Sequence, residues 1–380
     1  MRGRCGGIAV ILLFLAMAGP ASAQTKPPEK PPKPDQPESP DRPSITEIGG
    51  KTLQQWIQEA RHPDPGVREN AVRTIMLFGP SAAPAVPVLI ERLTDVDVSL
   101  RANAAIALAA VEIGNADIPK VVDALARRAT EDTESLVRFQ ACVTLARFGK
   151  EAKAAIPHLI NASRDSRCWE VRKAACFALG RAGMATKNDP LDMRAANALM
   201  HVLSKDPSAK VRLEAATALG TMGRPAQQSE QTAIENALLA RAKDQREDRA
   251  VQIWSAVGVM AIRDEVPEEY LVAIAKQLDN PDLGIRTHAA RALGTIGPRA
   301  RSRVPDLTKL LKDKQREGIV AALWALVSIG GDADKAIPAL KELAERKDVD
   351  EGLREAAKEA IQVISGKKKS EPQSSREPSP

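Results

Sequence analysis

The chain has 380 residues, of which 43% are hydrophobic and 27% are charged, a balance typical of folded globular proteins. Only 3% are aromatic, so a core has to be built mainly from Ala, Leu, Val and Ile. The formal net charge of +6 is too small an excess, over this length, to indicate binding to a polyanion such as nucleic acid.

The first 23 residues have the pattern of a secretory signal peptide. Arg2 and Arg4 precede an apolar run from Ile8 to Ala18, and Ala21-Ser22-Ala23 supplies the small residues of a cleavage site. The apolar run is shorter than the ~20 residues that cross a bilayer. We therefore expect export to the periplasm, cell surface or medium after cleavage near Ala23, without stable membrane insertion. A retained anchor is the alternative.

The remaining chain divides by composition into three parts. Residues 24–44 are dense in Pro, Lys, Asp and Glu, which predicts an extended, disordered linker. Residues 45–365 carry a repeated apolar pattern, and residues 366–380 have the composition of a disordered tail. At the start of the repeat region, Leu53, Trp56, Ile57 and Ala60 fall on one face of a helix that is expected to cap the first repeat.

One pattern recurs along residues 45–365: a turn with Asp, an apolar residue followed by Arg, several alanines, often Leu-Gly, a glycine-containing loop, and a second helix. It is clearest near residue 290, where Asp282 can cap a helix, Gly297 and Pro298 end it, and Pro305 opens the next one. Corresponding positions recur every 33 to 40 residues, a period typical of helical repeats. The two longest repeats are assigned extended loops at residues 184–192 and 223–231.

The recurring arginine is interpreted as structural. Its regular place beside the core alanines suits a side chain that bonds the Asp-bearing turns and fixes the stacking of repeats. The alternative is a row of charges that binds an acidic partner. Gln252 and Val320 take the place of the arginine in two repeats. The predicted structural ladder consists of Arg68, Arg101, Arg138, Arg172, Arg212, Arg286 and Arg354.

These repeats predict an all-α fold, an α-solenoid of about eight antiparallel helix pairs with helical end caps. The final helix, expected over residues 352–365, has a polar outer face, as an end cap requires. That face consists of Glu355, Lys358, Glu359 and Gln362.

The sequence contains no pattern that indicates catalysis or metal binding. The histidines His62, His158, His201 and His288 lack the spacing of metal ligands, and neither a Gly-x-Ser-x-Gly motif nor a phosphate-binding glycine loop occurs. We therefore predict that the protein is not an enzyme and binds no metal or cofactor.

Cysteines and tryptophans are predicted to lie in or near the core. Of the four cysteines, Cys5 lies in the predicted signal peptide, so the mature chain is expected to keep three: Cys142, Cys168 and Cys176. They are interpreted as buried thiols, because an odd number in so long a chain is not a disulfide framework. Three tryptophans have the spacing of core or near-core residues: Trp169, Trp254 and Trp324.

One basic cluster lies in the repeat that follows Gly297. It is interpreted as a solvated face, since acidic residues interrupt it and no aromatic residues interleave for base stacking; contact with an anionic surface is the alternative. Its members are Arg299, Arg301, Arg303, Lys309, Lys312, Lys314 and Arg316.

The segments Val67–Ala71 (VRENA), Val211–Gly220 (VRLEAATALG) and Ile285–Gly297 resemble the HEAT repeat, in the short form also found in phycobilin-lyase subunits. The resemblance covers about residues 50–365. The Pro-rich start followed by Gly50-Lys51-Thr52-Leu53 is similar to exported HEAT-repeat proteins of planctomycete-like bacteria. It implies a right-handed superhelix that binds other proteins. No residues match a lyase active site.

We therefore expect a non-enzymatic scaffold of the cell envelope or extracytoplasmic space that binds a protein partner on a concave face lined by the second helices. The alternatives are a lyase-like or enzyme-accessory subunit acting on a tetrapyrrole or protein-bound cofactor, and a structural envelope component. Mixed charges on the second helices suit a protein better than a polyanion. The residues expected to meet the partner are Glu91, Arg92, Lys120, Asp123, His158, Asn161, His201, Arg241, Lys276, Gln277, Lys309 and Glu342.

Overall fold

The computed structural model describes residues 45–366. The predicted signal peptide, the linker and all but the first residue of the predicted tail lie outside these described residues. The described chain divides into two compact units, residues 45–274 and residues 275–366. Both units are built from helices joined by turns, and the first unit begins with a short hairpin.

The hairpin was not predicted from the sequence. Strands β1 (Glu47–Ile48) and β2 (Lys51–Thr52) pair antiparallel through a two-residue turn, Gly49-Gly50, in which both glycines have positive φ. Such turns require residues that adopt positive φ without strain, so the Gly-Gly pair was the available signal. The indole Nε1 of Trp56 donates to the Ile48 carbonyl at 3.0 Å and so fixes the hairpin to the helix that follows.

The prediction of eight helix pairs between two end helices is confirmed. Helix α1 (Leu53–Glu59) precedes the pairs and contains the expected buried residues Trp56 and Ile57. The pairs of the first unit are α2 (Pro65–Leu77) with α3 (Val86–Arg92), α4 (Val98–Ala110) with α5 (Ile118–Glu131), α6 (Ser135–Phe148) with α7 (Ile156–Ala162), α8 (Trp169–Ala182) with α9 (Met193–Lys205), α10 (Ala209–Thr221) with α11 (Gln228–Lys243), and α12 (Arg249–Arg263) with α13 (Glu268–Ala275), whose last residue opens the second unit.

The second unit contains the last two pairs and the closing helix. Its helices are α14 (Leu283–Ile296) with α15 (Val304–Leu310), α16 (Arg316–Ile329) with α17 (Ile337–Glu345), and α18 (Glu351–Ile364). The outer face of α18 is exposed at the four polar positions that were predicted for an end cap.

Within the first unit the helices form two layers. In the first unit, the first helices α2, α4, α6, α8, α10 and α12 pack in succession, and so do the second helices α5, α7, α9 and α11. In the second unit, α14, α16 and α18 pack in succession. This is the all-α, nearest-neighbour packing that repeats of this kind require. The interior is made of Ala, Leu, Val and Ile, as the low aromatic content predicted.

Aspartates begin many of the first helices. The predicted cap Asp282 accepts a hydrogen bond from the Ile285 amide at 3.0 Å. Such a side chain satisfies one of the amides that a helix leaves unpaired at its start. The same arrangement occurs at Asp64, Asp97, Asp248 and Asp350.

The glycine-containing connections are more regular than predicted. Gly79, Gly149, Gly297 and Gly330 have positive φ and end their helices, as expected. Instead of an irregular loop, each then begins a seven-residue 3₁₀ helix: Gly79–Ala85, Gly149–Ala155, Gly297–Arg303 and Gly330–Ala336. A buried alanine near the middle of each segment anchors it to the core, which an open loop would not need: Ala82, Ala152, Ala300 and Ala333.

Of the two long loops predicted from the sequence, one agrees with the structure and the other is shorter. Residues 184–192 are non-helical, as predicted. The loop assigned to residues 223–231 is shorter, because α11 already begins at Gln228. The side chain of Gln231 is buried and donates from Nε2 to the Ile262 carbonyl at 3.2 Å, which holds this first turn of α11 against α12.

The recurring Leu-Gly glycine permits close packing of first helices. A Cβ on Gly220 would lie 2.9 Å from the Cα of Gly258, and a Cβ on Gly180 would lie 2.8 Å from the Cβ of Ala218. At Gly294 the neighbour is Trp324, whose ring covers the glycine although 39% of the residue remains exposed. Of the two positions predicted for Trp324, core or near-core, the structure excludes the core: the ring covers the neighbouring helix from outside.

Candidate protein-binding surface

A buried leucine orients each of six second helices. The residue two positions later lies about 200° around the helix, on the opposite side. That residue is exposed in all six helices, which makes it a regular surface position along the repeats. The leucines are Leu89, Leu125, Leu159, Leu199, Leu307 and Leu340, and the exposed residues are Glu91, Arg127, Asn161, His201, Lys309 and Glu342. Sequence reasoning missed Arg127, although this spacing would have found it.

The structure places the twelve predicted partner-binding residues in two groups. Eight are exposed: Glu91, Lys120, Asp123, Asn161, His201, Lys276, Lys309 and Glu342. Four are half-buried: Arg92, His158, Arg241 and Gln277.

The exposed charges form ion pairs on the surface. Glu91 accepts two hydrogen bonds from Arg61, at 2.8 and 3.0 Å. Asp123 lies 3.1 Å from Arg127, and Lys120 lies 3.2 Å from Asp117. Pairs this exposed contribute little to stability, so these side chains are available to a partner at small cost.

Two of the half-buried residues, Arg92 and Arg241, contact the arginine ladder, so they do not belong to a surface that is separate from it. Arg92 donates to the carboxylate of Asp95 at 2.8 Å, and Arg241 lies 3.5 Å from that of Glu247. Both carboxylates also bind predicted ladder arginines. The sequence-based separation between a partner-binding face and the arginine ladder is therefore wrong for Arg92 and Arg241, because the end of a second helix brings them back to the turn.

The ladder arginines join consecutive turns, and Arg138 illustrates the geometry. Its Nε donates to Oδ2 of Asp165, in the next turn, at 2.7 Å. Its Nη1 donates to the carbonyl oxygens of Asp132 and Thr133, in the turn before its own helix, at 2.8 and 2.9 Å. One guanidinium thus bonds two turns.

The same contacts repeat along the first unit without interruption from Arg68 to Glu247. Each carboxylate residue accepts from one ladder arginine through its side chain and, at four of the five turns, from the next ladder arginine through its carbonyl. The side-chain pairs are Arg68 with Asp95, Arg101 with Asp132, Arg138 with Asp165, Arg172 with Asp206, and Arg212 with Glu247, and Arg286 with Asp313 repeats the arrangement in the second unit.

Three positions depart from this geometry. Arg354 keeps only the bond to the preceding turn, from Nη1 to the Val349 carbonyl at 2.8 Å. Gln252 donates to the carbonyls of Asp244 and Glu247 in the turn before its own helix. Val320 is 41% exposed and has no polar group to offer.

Five of the ladder carboxylates have lowered pKa values. Burial alone would raise the pKa of Asp95, Asp132, Glu247 and Asp313, but hydrogen bonds and charge from the neighbouring arginine outweigh it, so each pKa lies below its ordinary value. For Asp165, burial is outweighed by the Arg167 amide together with the charge of Arg138, which again lowers the pKa.

The histidines lie apart from one another in different environments. His158 is half-buried, with Nδ1 3.2 Å from Oγ1 of Thr130, and His201 is exposed. Nδ1 of His62 accepts from the Asp64 amide at 3.1 Å. Within residues 45–366, no three His, Cys, Asp or Glu side chains are grouped so that they could hold a metal ion. In the same range no helix has the length and apolarity to cross a membrane.

The three described cysteines are free and buried, as predicted. Burial raises the pKa of the Cys142 thiol to about 12 and that of Cys176 well above its ordinary value. Cys168 donates from Sγ to the Glu170 carboxylate at 2.8 Å. None of the three is therefore activated as a nucleophile.

Comparisons with known proteins agree with this architecture. The family model described as HEAT repeats matches residues 53–146, 86–180, 156–252 and 269–362, well over half of the chain. A search of curated proteins finds no match.

Similar solved structures have low identity. An engineered protein is 24% identical, with a TM-score of 0.42, and the match covers 83% of this chain and 89% of that one. The CpcE–CpcF complex of phycocyanin lyase from Nostoc sp. PCC7120 is 21% identical, with a TM-score of 0.45 and coverage of 73% and 94%. YibA of Escherichia coli is 19% identical, with a TM-score of 0.39 and coverage of 81% and 92%. At these values the three structures carry no argument about what this chain binds.

Proposed function

The chain belongs to the HEAT-repeat family, and from that premise we propose that it is a non-enzymatic scaffold that binds a protein partner on its second helices. The main support for the proposal is the contrast between the ladder arginines and the exposed positions of the second helices. The ladder arginines make the same contacts in repeat after repeat, which a shared stacking role explains. The exposed second-helix positions change from Glu91 to Asn161 to His201, and a specific partner needs such variation.

The proposal includes the place of action. The N-terminal sequence pattern supports export, so the scaffold would act in the cell envelope or outside the cell, with its partner on a concave second-helix side. The intact mass of protein from the exported fraction should correspond to a chain that begins at Gln24. Recovery of a chain that keeps residues 1–23 in the membrane fraction would contradict cleavage.

Two other roles remain expectations from the sequence. A lyase-like subunit would change the absorbance of a bilin or haem on mixing, whereas a scaffold would not. A structural envelope component would assemble with copies of itself, which light scattering of the purified chain would detect.

The scaffold proposal is tested by charge reversal on the second helices. The variant Lys120→Glu/Asp123→Lys/His201→Glu changes three exposed residues on α5 and α9 and touches no ladder carboxylate. Affinity capture from the producing organism should lose the partner with this variant, and the melting temperature should stay near that of the wild type.

A matched variant on the first helices serves as the control. Arg73→Glu/Arg147→Glu/Arg181→Glu reverses three exposed charges, on α2, α6 and α8, whereas the second-helix variant reverses two charges and adds one at the neutral His201. The control should capture the partner normally. If this control loses the partner, or the second-helix variant retains it, the binding surface lies elsewhere.

A further inference from the structure

A polar groove lies where α5 and α7 end and the turn before α8 begins. Its volume is about 300 Å³, and two alanines, Ala129 and Ala162, are among its lining residues. The polar side chains that line it are those of Thr130, Asn161, Arg164, Asp165, Ser166 and Arg167.

The negative charge of Asp165, the acidic residue in this groove, is already compensated by hydrogen-bond donors of the chain. The Asp165 carboxylate accepts from Nε of Arg138 at 2.7 Å and from the amides of Arg167 and Cys168 at 2.8 and 3.1 Å. The pKa of Asp165 accordingly lies below its ordinary value. Asp165 therefore repels an incoming anion less than a free carboxylate would.

The two groove arginines retain capacity for another anion. Nη2 of Arg167 makes only a long hydrogen bond, 3.4 Å, to Oδ2 of Asp165, and the Arg167 side chain is 55% exposed. Arg164 is exposed, and its guanidinium has no hydrogen-bond or ion-pair partner within residues 45–366. The nearby Glu131 is paired with Arg128 at 3.3 Å. The groove therefore carries uncompensated positive charge.

Stacking does not account for these arginines. The two preceding turns carry acids at the position of Arg167, Asp97 and Glu134, and the residues at the position of Arg164 there are Thr94 and Glu131. Both positions are arginine in the turn of Asp165, and they are arginine again in the turn of Glu247, at Arg246 and Arg249. The ladder pair of Arg138 with Asp165 is formed as in the other repeats and uses neither.

The positive charge continues into the next turn, which favours a chain of acids over a single small anion. Lys205 and Lys210 are exposed there, while the intervening Asp206 is held by Arg172 at 2.7 Å. Nζ of Lys210 lies 4.8 Å from the centre of the Trp169 ring, which orients the ammonium group at the surface.

We propose that this groove binds carboxylate side chains of an acidic segment in the partner protein, an inference that rests on the proposed scaffold function. Arg164 and Arg167 supply charge-assisted, bidentate hydrogen bonds to one or two carboxylates. Asn161 adds a neutral amide donor beside them.

The test is a titration of the purified chain with fluorescein-labelled peptides, read by fluorescence anisotropy. A peptide of alternating Glu and Ser should bind, more weakly as salt increases, and the same peptide with Gln for Glu should not. Arg164→Gln and Arg167→Gln should each weaken binding about tenfold without a change in melting temperature. Arg246→Gln removes an equally exposed turn arginine outside the groove and should leave the affinity within about twofold.

Equal binding of the Gln peptide, or unchanged binding by both groove variants, would overturn the proposal. Displacement of the peptide by inorganic phosphate at equal concentration would show that the groove takes a small anion, which also overturns the assigned occupant. If the second-helix variant loses the captured partner while the Glu peptide does not bind, the acidic-segment inference alone fails. If the peptide binds but that variant still captures the partner, the second-helix proposal alone fails.

Discussion

Nε of Arg138 lies 2.7 Å from Oδ2 of Asp165, and the two side chains are only 1% and 4% exposed. Removing two charges from water is costly, and the pair is favourable only because its remaining donors and acceptors are also satisfied. Arg138 donates to two carbonyls of the preceding turn, and Asp165 accepts two amides of its own turn. A single pair thus fixes the register of neighbouring repeats.

Replacing Arg138 by Ala should lower the free energy of unfolding by about 3–5 kcal/mol, because it removes the buried counter-charge of Asp165 and leaves only the longer contact with the exposed Arg167. Arg73→Ala, at an exposed position on α2, should change it by no more than about 0.5 kcal/mol. Thermal and urea unfolding of the two variants would measure the difference. Equal effects would mean that the ladder does not stabilise the stack.

The ladder shows what could be predicted from the sequence. The period of the arginine and its place beside core alanines predicted the contact with Asp-bearing turns, since every repeat packs on its neighbour in the same way. The second arginine on the same carboxylate, as at Arg92 and Asp95, was not predictable, because it depends on how far the second helix extends before the turn.

Other features of the structure could not be predicted, because they depend on contacts that the repeat pattern of the sequence does not indicate. The helical spacing of Trp324 predicted a core or near-core residue, but it could not show that the ring covers Gly294 from the outside. The groove beside Arg164 joins the ends of two helices from successive repeats, so its residues are distant in sequence. By contrast, the Gly49-Gly50 hairpin had a local signal that could have been used.

Acid should weaken the ladder in a defined pH range. The pKa of Asp132 is below its ordinary value in the folded chain, since burial is outweighed by the hydrogen bond from Arg101. A depressed pKa contributes stability above the unfolded-state value, about 3.9, and this contribution is lost as the pH falls through the folded-state value. The difference in unfolding free energy between wild type and Asp132→Asn should therefore be constant above about pH 5 and shrink below about pH 4.

Unfolding curves at a series of pH values would measure this difference. Asp123→Asn, which removes an exposed carboxylate from α5, is the control and should show little difference from wild type at any pH. A difference for Asp132→Asn that stays constant down to pH 2 would argue against linkage through this group.

The buried thiols should resist alkylation in the folded protein. The pKa of Cys142 is raised to about 12 by burial, and that of Cys176 is also well raised, so little thiolate forms at pH 8. Iodoacetamide should modify both only after denaturation, as followed by peptide mass spectrometry. Asn197→Cys places a thiol at an exposed position of α9 and should react at once. Comparable native rates would contradict the burial of Cys142 and Cys176.

Close packing at Gly294 should not tolerate a methyl group. A Cβ there would lie 2.3 Å from Cζ3 of Trp324 and 2.9 Å from the Cα of Ala325, so the ring and the neighbouring backbone would both have to move. Gly294→Ala should lower the free energy of unfolding by about 1–3 kcal/mol and change the tryptophan fluorescence. Gly114→Ala meets nothing within 4 Å and should be nearly neutral. A neutral Gly294→Ala would show that α16 can shift freely.

The gap at Val320 should accept a new ladder arginine. Val320 precedes Asp348 by about the same number of residues as Arg286 precedes Asp313, and Arg354 already bonds the Val349 carbonyl in the turn that contains Asp348. Asp348 accepts from Arg346 and is largely exposed, so its carboxylate has room for a second donor. Val320→Arg should therefore raise the melting temperature by about 1–2 °C.

The partner of the new arginine can be identified by a second change. If the gain comes from a bond to Asp348, then adding Asp348→Asn to Val320→Arg should remove most of it, while Asp348→Asn alone should have a smaller effect. Val320→Gln, which can reach only the carbonyls of the turn before its own helix, as Gln252 does, should give a smaller gain. A rise in melting temperature that survives Asp348→Asn, or that Val320→Gln reproduces, would mean that the removal of an exposed apolar side chain, not the extension of the ladder, stabilises the protein.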